Sequence, residues 1–518
     1  MHEVETRTPT GISSPAKLRA LSLCFALWFA VFGIVIIARS IHWPTVHDAP
    51  ILLYMSFLTE HGMRLYKDVI EVQFPGAVLL YAFSRHVFGT SALAFRMFDL
   101  SGLIVGLAAM LLIVKSRRYW LAAVFGFSIF LLIHTGSYRG ILNLGERDFF
   151  VACILGVSIA SLLEAHRRLT PWLMFVFGLG IAFSATIKPT VILFTLASIP
   201  VLYRLRKQRG SLAPYLLWAS AGFMAGFGVV LAYVLHEHAL GPFLEIEKTL
   251  MPVYYRMANQ SFYHMARNLF DGRFLILWSF SLALGSLLLL LLQPKLRRHI
   301  EQQVLFLCVI FGAASYFLQH KGFWYHREPF FFFFYLWIGW VLVASIDEDR
   351  RPYRWAALFL LTITALSYPI LMVTPIWDGR NEAALQKDLL SLDALKSPGE
   401  VQCVDETGGC TPTALNMKIV MATGFVTDYL YFLDDHDPRL EGMRAHYIQK
   451  LKQTRPRLIV LTNEQWPTLD HYGYDKLQYW PAFAKLLEED YSLSIDRPGD
   501  PASERGYRIY VRKDAAKL

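Results

Sequence analysis

Apolar runs of nearly membrane-spanning length follow one another along this chain as far as residue 376, and no other feature limits its fold so strongly. They cover roughly residues 18–39, 93–114, 120–136, 147–163, 171–187, 189–203, 213–236, 273–293, 302–318, 329–346 and 355–376. A bilayer core takes about 20 residues of helix, and inside it every backbone polar group must be satisfied within the chain. Three of the runs are short and predict little tilt or a thinned bilayer. With 55% hydrophobic residues and a mean hydropathy of +0.37, a soluble globular chain is excluded. The expectation is an α-helical polytopic membrane protein with about 11 transmembrane helices.

The formal charge of +9 does not point to nucleic acid, because the basic residues sit at span ends. Arg7, Lys17 and Arg19 precede the first run, which reads as a retained anchor. Lys115, Arg117 and Arg118 follow the second. Arg167 with Arg168, then Arg204 to Arg209, Lys295 to Arg298, and Arg350 to Arg354 complete the set. With eleven spans all these clusters fall on one side, which positive-inside bias makes cytoplasmic. The outer side then receives 42–92, 136–146, the Lys188-Pro189 turn, 237–272, 319–328 and everything after about Trp377.

Composition changes at that last point, giving a membrane domain over 1–376 and an outer domain over 377–518. Residues 457–461 and 507–511 read as strands and 483–489 as a helix, so a small C-terminal α/β extramembrane domain is expected. Cys24, Cys153 and Cys308 lie in spans and read as buried apolar residues. Cys403 and Cys410 flank VDETGG on the oxidising side, and Gly408-Gly409 lets the chain turn back, so a disulfide is expected. No Cys-x-x-Cys spacing suggests zinc. Gly222, Gly226 and Gly228 lie in a span and read as helix-packing residues, and the chain has no Walker A motif.

The chemically interesting residues gather on the outer list. Between His42 and Gly76 the pattern predicts an amphipathic helix over 49–58, lying on the membrane surface. Asp48 stands before it, either as a plain N-cap or as a general base. His47, Glu60, Asp68 and Glu71 are near it in sequence. Glu146, Arg147 and Asp148 open the fourth span; the helix dipole alone favours carboxylates there, while Arg147 also suits a phosphate and its acidic neighbours suit sugar hydroxyls. Lys188 between two apolar runs is either a ligand-binding group or a snorkelling one. Lys321 and His326 precede the tenth span and suit a departing phosphate. Trp324 and Tyr325 between them suit sugar stacking or an interfacial belt. Arg96 and Asp99 are spaced for a local ion pair.

The order Asp48, amphipathic helix, Gly62-x-x-x-Tyr66-x-Asp68, Phe74-Pro75-Gly76, Phe88-Gly89 and Arg96-x-Phe98-Asp99-Leu100 resembles the first outer loop of GT-C glycosyltransferases. That superfamily includes the protein mannosyltransferases of glycosyltransferase family 39, the aminoarabinose transferases and the RgtA-to-D-like bacterial enzymes. Gly145-Glu146-Arg147-Asp148, Lys188-Pro189 and Lys321-Gly322-Phe323-Trp324-Tyr325-His326 resemble further motifs of the group. The resemblance implies an integral membrane glycosyltransferase of a bacterial inner membrane, with a cytoplasmic N-terminus and a periplasmic site and C-terminal domain. It implies a polyprenyl-phosphate-linked hexosyl or pentosyl donor, inversion, and a lipid, glycan or protein acceptor. Asp48 and Glu71 are the catalytic candidates. Glu146, Arg147, Asp148, Lys188, Lys321, Tyr325 and His326 are the substrate-binding candidates. Where the family often has an acidic pair, this chain has Asp48-Ala49, so no metal site is assigned and a divalent cation is the one cofactor left open. A transporter or flippase of a lipid-linked saccharide is the alternative; it would carry charges near mid-membrane and two similar halves.

Overall fold

A computed structural model describes residues 15–116, 119–137, 140–270, 273–347, 350–372, 382–405, 408–464, 473–499 and 506–515. Among them are 7 helices long and apolar enough to cross a membrane: Ala20–Ser40, Ala92–Val114, Arg147–Arg168, Ala213–His236, Ile300–Leu318, Tyr325–Ile346 and Arg351–Leu371. Trp120–Gly136, Leu173–Ile187 and Leu277–Leu292 are shorter apolar helices. The remaining run is a 3₁₀ stretch, Pro189–Ser198, that passes into the helix Ile199–Arg209. Every apolar run is therefore helical as far as the described residues go, and the chain is a polytopic membrane protein. The basic pair 117–118 and the expected domain boundary at 376 fall outside the described residues.

Helix Tyr325–Ile346 is the axis of the bundle, with 94% of its apolar window buried against 22% for Ala20–Ser40. Its Phe330–Phe334 run would be wasteful on a lipid-facing helix; here all five rings fill the core. A neighbour comes close because Gly126 lies against the backbone of Leu336, where a Cβ would stand 2.7 Å from its Cα. Gly222 and Gly226 likewise lie against the carbonyls of Phe175 and Leu179. Gly228 meets nothing within 4 Å, so it is not a packing residue as expected.

The helix expected on the membrane surface forms as Asp48–Glu60, but residues Asp48 through Leu58 are all buried. It is covered on both sides because its hydrophobic positions leave no polar stripe and the C-terminal domain caps it. Tyr54 shows this contact: its hydroxyl donates to the Ile419 carbonyl at 2.7 Å and accepts the Met421 N–H at 3.0 Å. Strand β1 (Val69–Ile70) continues the junction.

The C-terminal domain contributes β2 (Val401–Val404), β3 (Gly424–Phe425), β4 (Leu458–Thr462), β5 (Tyr491–Arg497) and β6 (Tyr507–Arg512). The sheet order is β2-β4-β6-β5; β2 and β4 are parallel and the other pairs antiparallel. Strand β1 pairs in parallel with β3, Val69 opposite Gly424 and Ile70 opposite Phe425, so the loop after helix Asp48–Glu60 and the domain share a sheet. Cys403 and Cys410 are joined as expected, with Cα atoms 5.8 Å apart.

Candidate active site

The site begins at a bend. His47 has φ 61°, in the left-handed region that residues with side chains seldom occupy. The bend makes Asp48 the first helical residue, so it is not the N-cap that its position in sequence suggests, and no side chain caps this helix. Asp48 faces its neighbours across the bundle instead. Its Oδ2 lies 3.3 Å from the Arg147 guanidinium and its Oδ1 lies 3.5 Å from His47 Nδ1. His47 Nδ1 is also 2.8 Å from Glu146 Oε1. Burial pulls the His47 imidazole down, yet the carboxylates of Asp48 and Glu146 outweigh it and hold it above its ordinary value. Burial, with Asp48 beside it, pushes Glu146 up to about 7.

Helix Arg147–Arg168 supplies the next wall. Arg147 donates to Gln73 and packs over the Tyr325 ring at 6.0 Å. Asp148 accepts from Lys188, which reaches back from the turn before Pro189. These groups border an open cavity of about 160 Å³ whose polar lining includes Gln73, Arg147, Lys188, Tyr254, Lys321 and His326. The lining residue His326 has a buried Nδ1 with no hydrogen-bond partner, and Glu146 Oε2 and Asp148 Oδ2, on either side of the lining residue Arg147, have none either. Unmet polar atoms around an open space mark a site that awaits a polar ligand.

The sequence-predicted residues divide three ways. Arg147, Lys188 and His326 reach the cavity with Asp48, Glu146 and Asp148 directly behind them. Tyr325 is buried against His47, ring centroids 5.3 Å apart, and is no part of a lipid-facing belt. Lys321 lines the cavity, but its ammonium donates to the carbonyls of Tyr254 at 2.8 Å, Tyr255 at 3.0 Å and Met257, and to Asn259 Oδ1 at 3.2 Å. It caps the helix Leu240–Arg256, and that use of its donors leaves less for an anion. Glu71 is not brought to the cluster. Its carboxylate accepts from Thr427 at 2.5 Å, Tyr429 at 3.2 Å and the Val72 N–H at 2.9 Å, at the junction with the C-terminal domain.

Gln73, Tyr254 and Tyr255 are among the lining residues that escape a reading of the sequence. The tyrosines end an amphipathic helix, Leu240–Arg256, whose spacing is legible although the segment reads first as outer loop. His47, Asp48 and Glu146 each offer a ligand atom within 4.8 Å of the others, and with Glu146 Oε2 unmet they fit a divalent cation.

No family model matches the chain, and no curated protein matches it in sequence. Solved structures do match. ArnT from Cupriavidus metallidurans bound to undecaprenyl phosphate aligns over 93% of this chain and 97% of that one, at 12% identity and TM-score 0.51. An Archaeoglobus fulgidus oligosaccharyltransferase tethered with an acceptor peptide aligns over 93% and 74%, at 13% identity and TM-score 0.49. The arabinosyltransferase EmbB from Mycobacterium smegmatis aligns over 76% and 35%, at 18% identity and TM-score 0.40. The ArnT alignment, with a TM-score above one half, is a likeness of fold along nearly the whole of both chains.

Proposed function

The chain has the GT-C fold, and from that premise we propose that it is a membrane glycosyltransferase using a polyprenyl-phosphate-linked sugar. One observation carries this reading. Arg147, Lys188 and His326 come from three separate turns of a strongly apolar chain and meet at one cavity, with the carboxylate of Asp48 against Arg147. Basic side chains at one end of a bundle, open to an apolar surround, suit a phosphate on a lipid tail.

In the reaction, Arg147 and Lys188 bind the donor phosphate and His326 faces it. The incoming anion offers Arg147 a second partner, and Asp48 is released to act as base. The acceptor hydroxyl or amine attacks the anomeric carbon from the face opposite the phosphate. Asp48 takes its proton, the bond from carbon to phosphate oxygen breaks, and polyprenyl phosphate leaves with the electron pair. Arg147 and Lys188 stabilise the charge that grows on it, and the sugar inverts. Tyr254 forms a wall beside the sugar, and Tyr325 backs Arg147 and His47. Lys321 holds Tyr254 in place and adds positive field. A divalent cation held by His47, Asp48 and Glu146 would supply further charge neutralisation at the phosphate.

Glu71 is the second candidate base; its three hydrogen bonds argue for Asp48 first. The acceptor is a lipid, glycan or protein, the membrane is a bacterial inner membrane, and the site and C-terminal domain face the periplasm while the N-terminus is cytoplasmic. Release of undecaprenyl phosphate from undecaprenyl-phosphate sugars by the purified protein in liposomes tests the reading. Release that depends on an added acceptor, with the sugar recovered on that acceptor, is expected. Movement of the intact lipid-linked sugar between leaflets without cleavage would establish the flippase instead.

A further inference from the structure

Behind the site, four ionisable side chains run through the bundle in contact with one another. Arg96, Asp99, His134 and Glu328 are at most 1% exposed. Arg96 pairs with Asp99 one helical turn on and donates to Ser40 Oγ at 2.5 Å. Asp99 Oδ1 lies 3.2 Å from His134 Nε2. His134 Nδ1 lies 3.4 Å from Glu328 Oε1. The spacing of Arg96 and Asp99 alone predicts only the local pair.

Such a chain is costly. Apolar side chains of the same volume would pack these helices at least as well, so what buried ionic groups contribute is a defined register. All four lie toward the end of the bundle that carries the site, and two of them, Asp99 and Glu328, adjoin site turns. Asp99 Oδ1 also accepts the Gly145 N–H at 3.0 Å, and Tyr81 donates to the Gly145 carbonyl. Gly145 has φ 70°, and a Cβ there would fall 2.1 Å from the Phe95 ring. The residue is held on every side, and Glu146 and Arg147 follow it directly. At the other end, Glu328 comes two residues after His326. His134 joins the halves from a π-helical turn, Leu132–Gly136, an irregularity often found where function needs a side chain re-aimed. Its ring stacks on Phe149 with centroids 4.0 Å apart.

We propose that Arg96, Asp99, His134 and Glu328 form a positioning relay that sets the spacing between the turn bearing Arg147 and the turn bearing His326, so that both face one phosphate. The inference rests on the lipid-phosphate reading above. His134 is the critical member because it alone of the four touches both carboxylates. A relay of this kind acts on ligand affinity while touching no ligand, as the residues behind metal ligands do.

The test measures undecaprenyl phosphate binding to the detergent-solubilised full chain by native mass spectrometry. Hydrogen exchange over 143–148 and 323–328 and the thermal midpoint are read in parallel. His134→Phe keeps the stacked ring and severs both carboxylates. His134→Gln keeps one hydrogen-bonding arm, and it carries the test should the phenylalanine variant not fold. The expected result is a loss of affinity of about ten-fold or more for His134→Phe, a smaller loss for His134→Gln, and faster exchange in both turns together. Wild-type affinity in either folded variant would overturn the relay and leave the lipid-phosphate reading intact. Failure of the wild type to bind undecaprenyl phosphate would remove both.

Discussion

Asp48 and Glu71 belong to the same segment between the first two spans, and the structure gives them opposite surroundings. Around Asp48 the polar groups outnumber their partners: Glu146 Oε2, Asp148 Oδ2 and His326 Nδ1 have none, and a cavity lies open beside them. Around Glu71 there is no slack, because Thr427, Tyr429 and the Val72 N–H occupy its oxygens. A buried carboxylate with all its bonds made is a joint; one beside unmet polar atoms and space is poised for a ligand. The same segment thus both docks the C-terminal domain, through Tyr54 and Glu71, and builds the site, through Asp48 and Gln73.

The largest effect that would sharpen this contrast is at Asp48. Asp48→Asn keeps the shape and removes the proton acceptor, and turnover should fall by about a hundred- to ten-thousand-fold. Binding of undecaprenyl phosphate should survive, since Arg147 then has one fewer anionic partner. Turnover near wild type would break the contrast and bring Glu71 forward as base. Assaying both proteins with and without chelator separates a base from a metal ligand: wild-type turnover that collapses in chelator would make Asp48 a ligand first.

Next come the cations. Lys188→Met and Arg147→Met should each weaken donor binding by about ten- to a hundred-fold, the worth of a charge-assisted hydrogen bond. Lys321→Met should instead lower the thermal midpoint, because it uncaps Leu240–Arg256, with a smaller change in donor affinity. Equal affinity losses at Lys188 and Lys321, measured by titration with undecaprenyl phosphate, would show that the cap also binds the phosphate.

Much of the site is legible in the amino-acid order alone. Arg147, Lys188 and His326 stand at ends of apolar runs where a charge needs a reason, and that is enough to single them out. What the sequence hides depends on partners distant along the chain. The cover over helix Asp48–Glu60 comes from around Ile419 and Met421, so its burial on both sides has no local signal. The carbonyls that hold Lys321 come from 254–257. Asp48 looks like a cap because the left-handed turn at His47 is a backbone property that histidine does not advertise. Asp99 shows its local partner, Arg96, but not His134 or Gly145.

The smallest effect is at the joint. Glu71→Gln should cost about 1 kcal/mol of stability, with turnover close to wild type. Burial raises Glu71 above the ordinary carboxylate value. The folded chain therefore holds a proton there that the unfolded chain releases. This contribution is present at low pH and is lost as pH rises from the ordinary carboxylate value through the raised one. Thermal midpoints across that window should fall less steeply in Glu71→Gln than in wild type. Parallel curves would mean that another group sets the slope.

The most direct measurement is a cryo-EM map of the full chain with undecaprenyl phosphate. The account predicts phosphate density in the cavity, in contact with Arg147 and Lys188 and facing His326, with the lipid tail running out between helices into the bilayer. Phosphate density elsewhere on the protein, with this cavity empty, would contradict it.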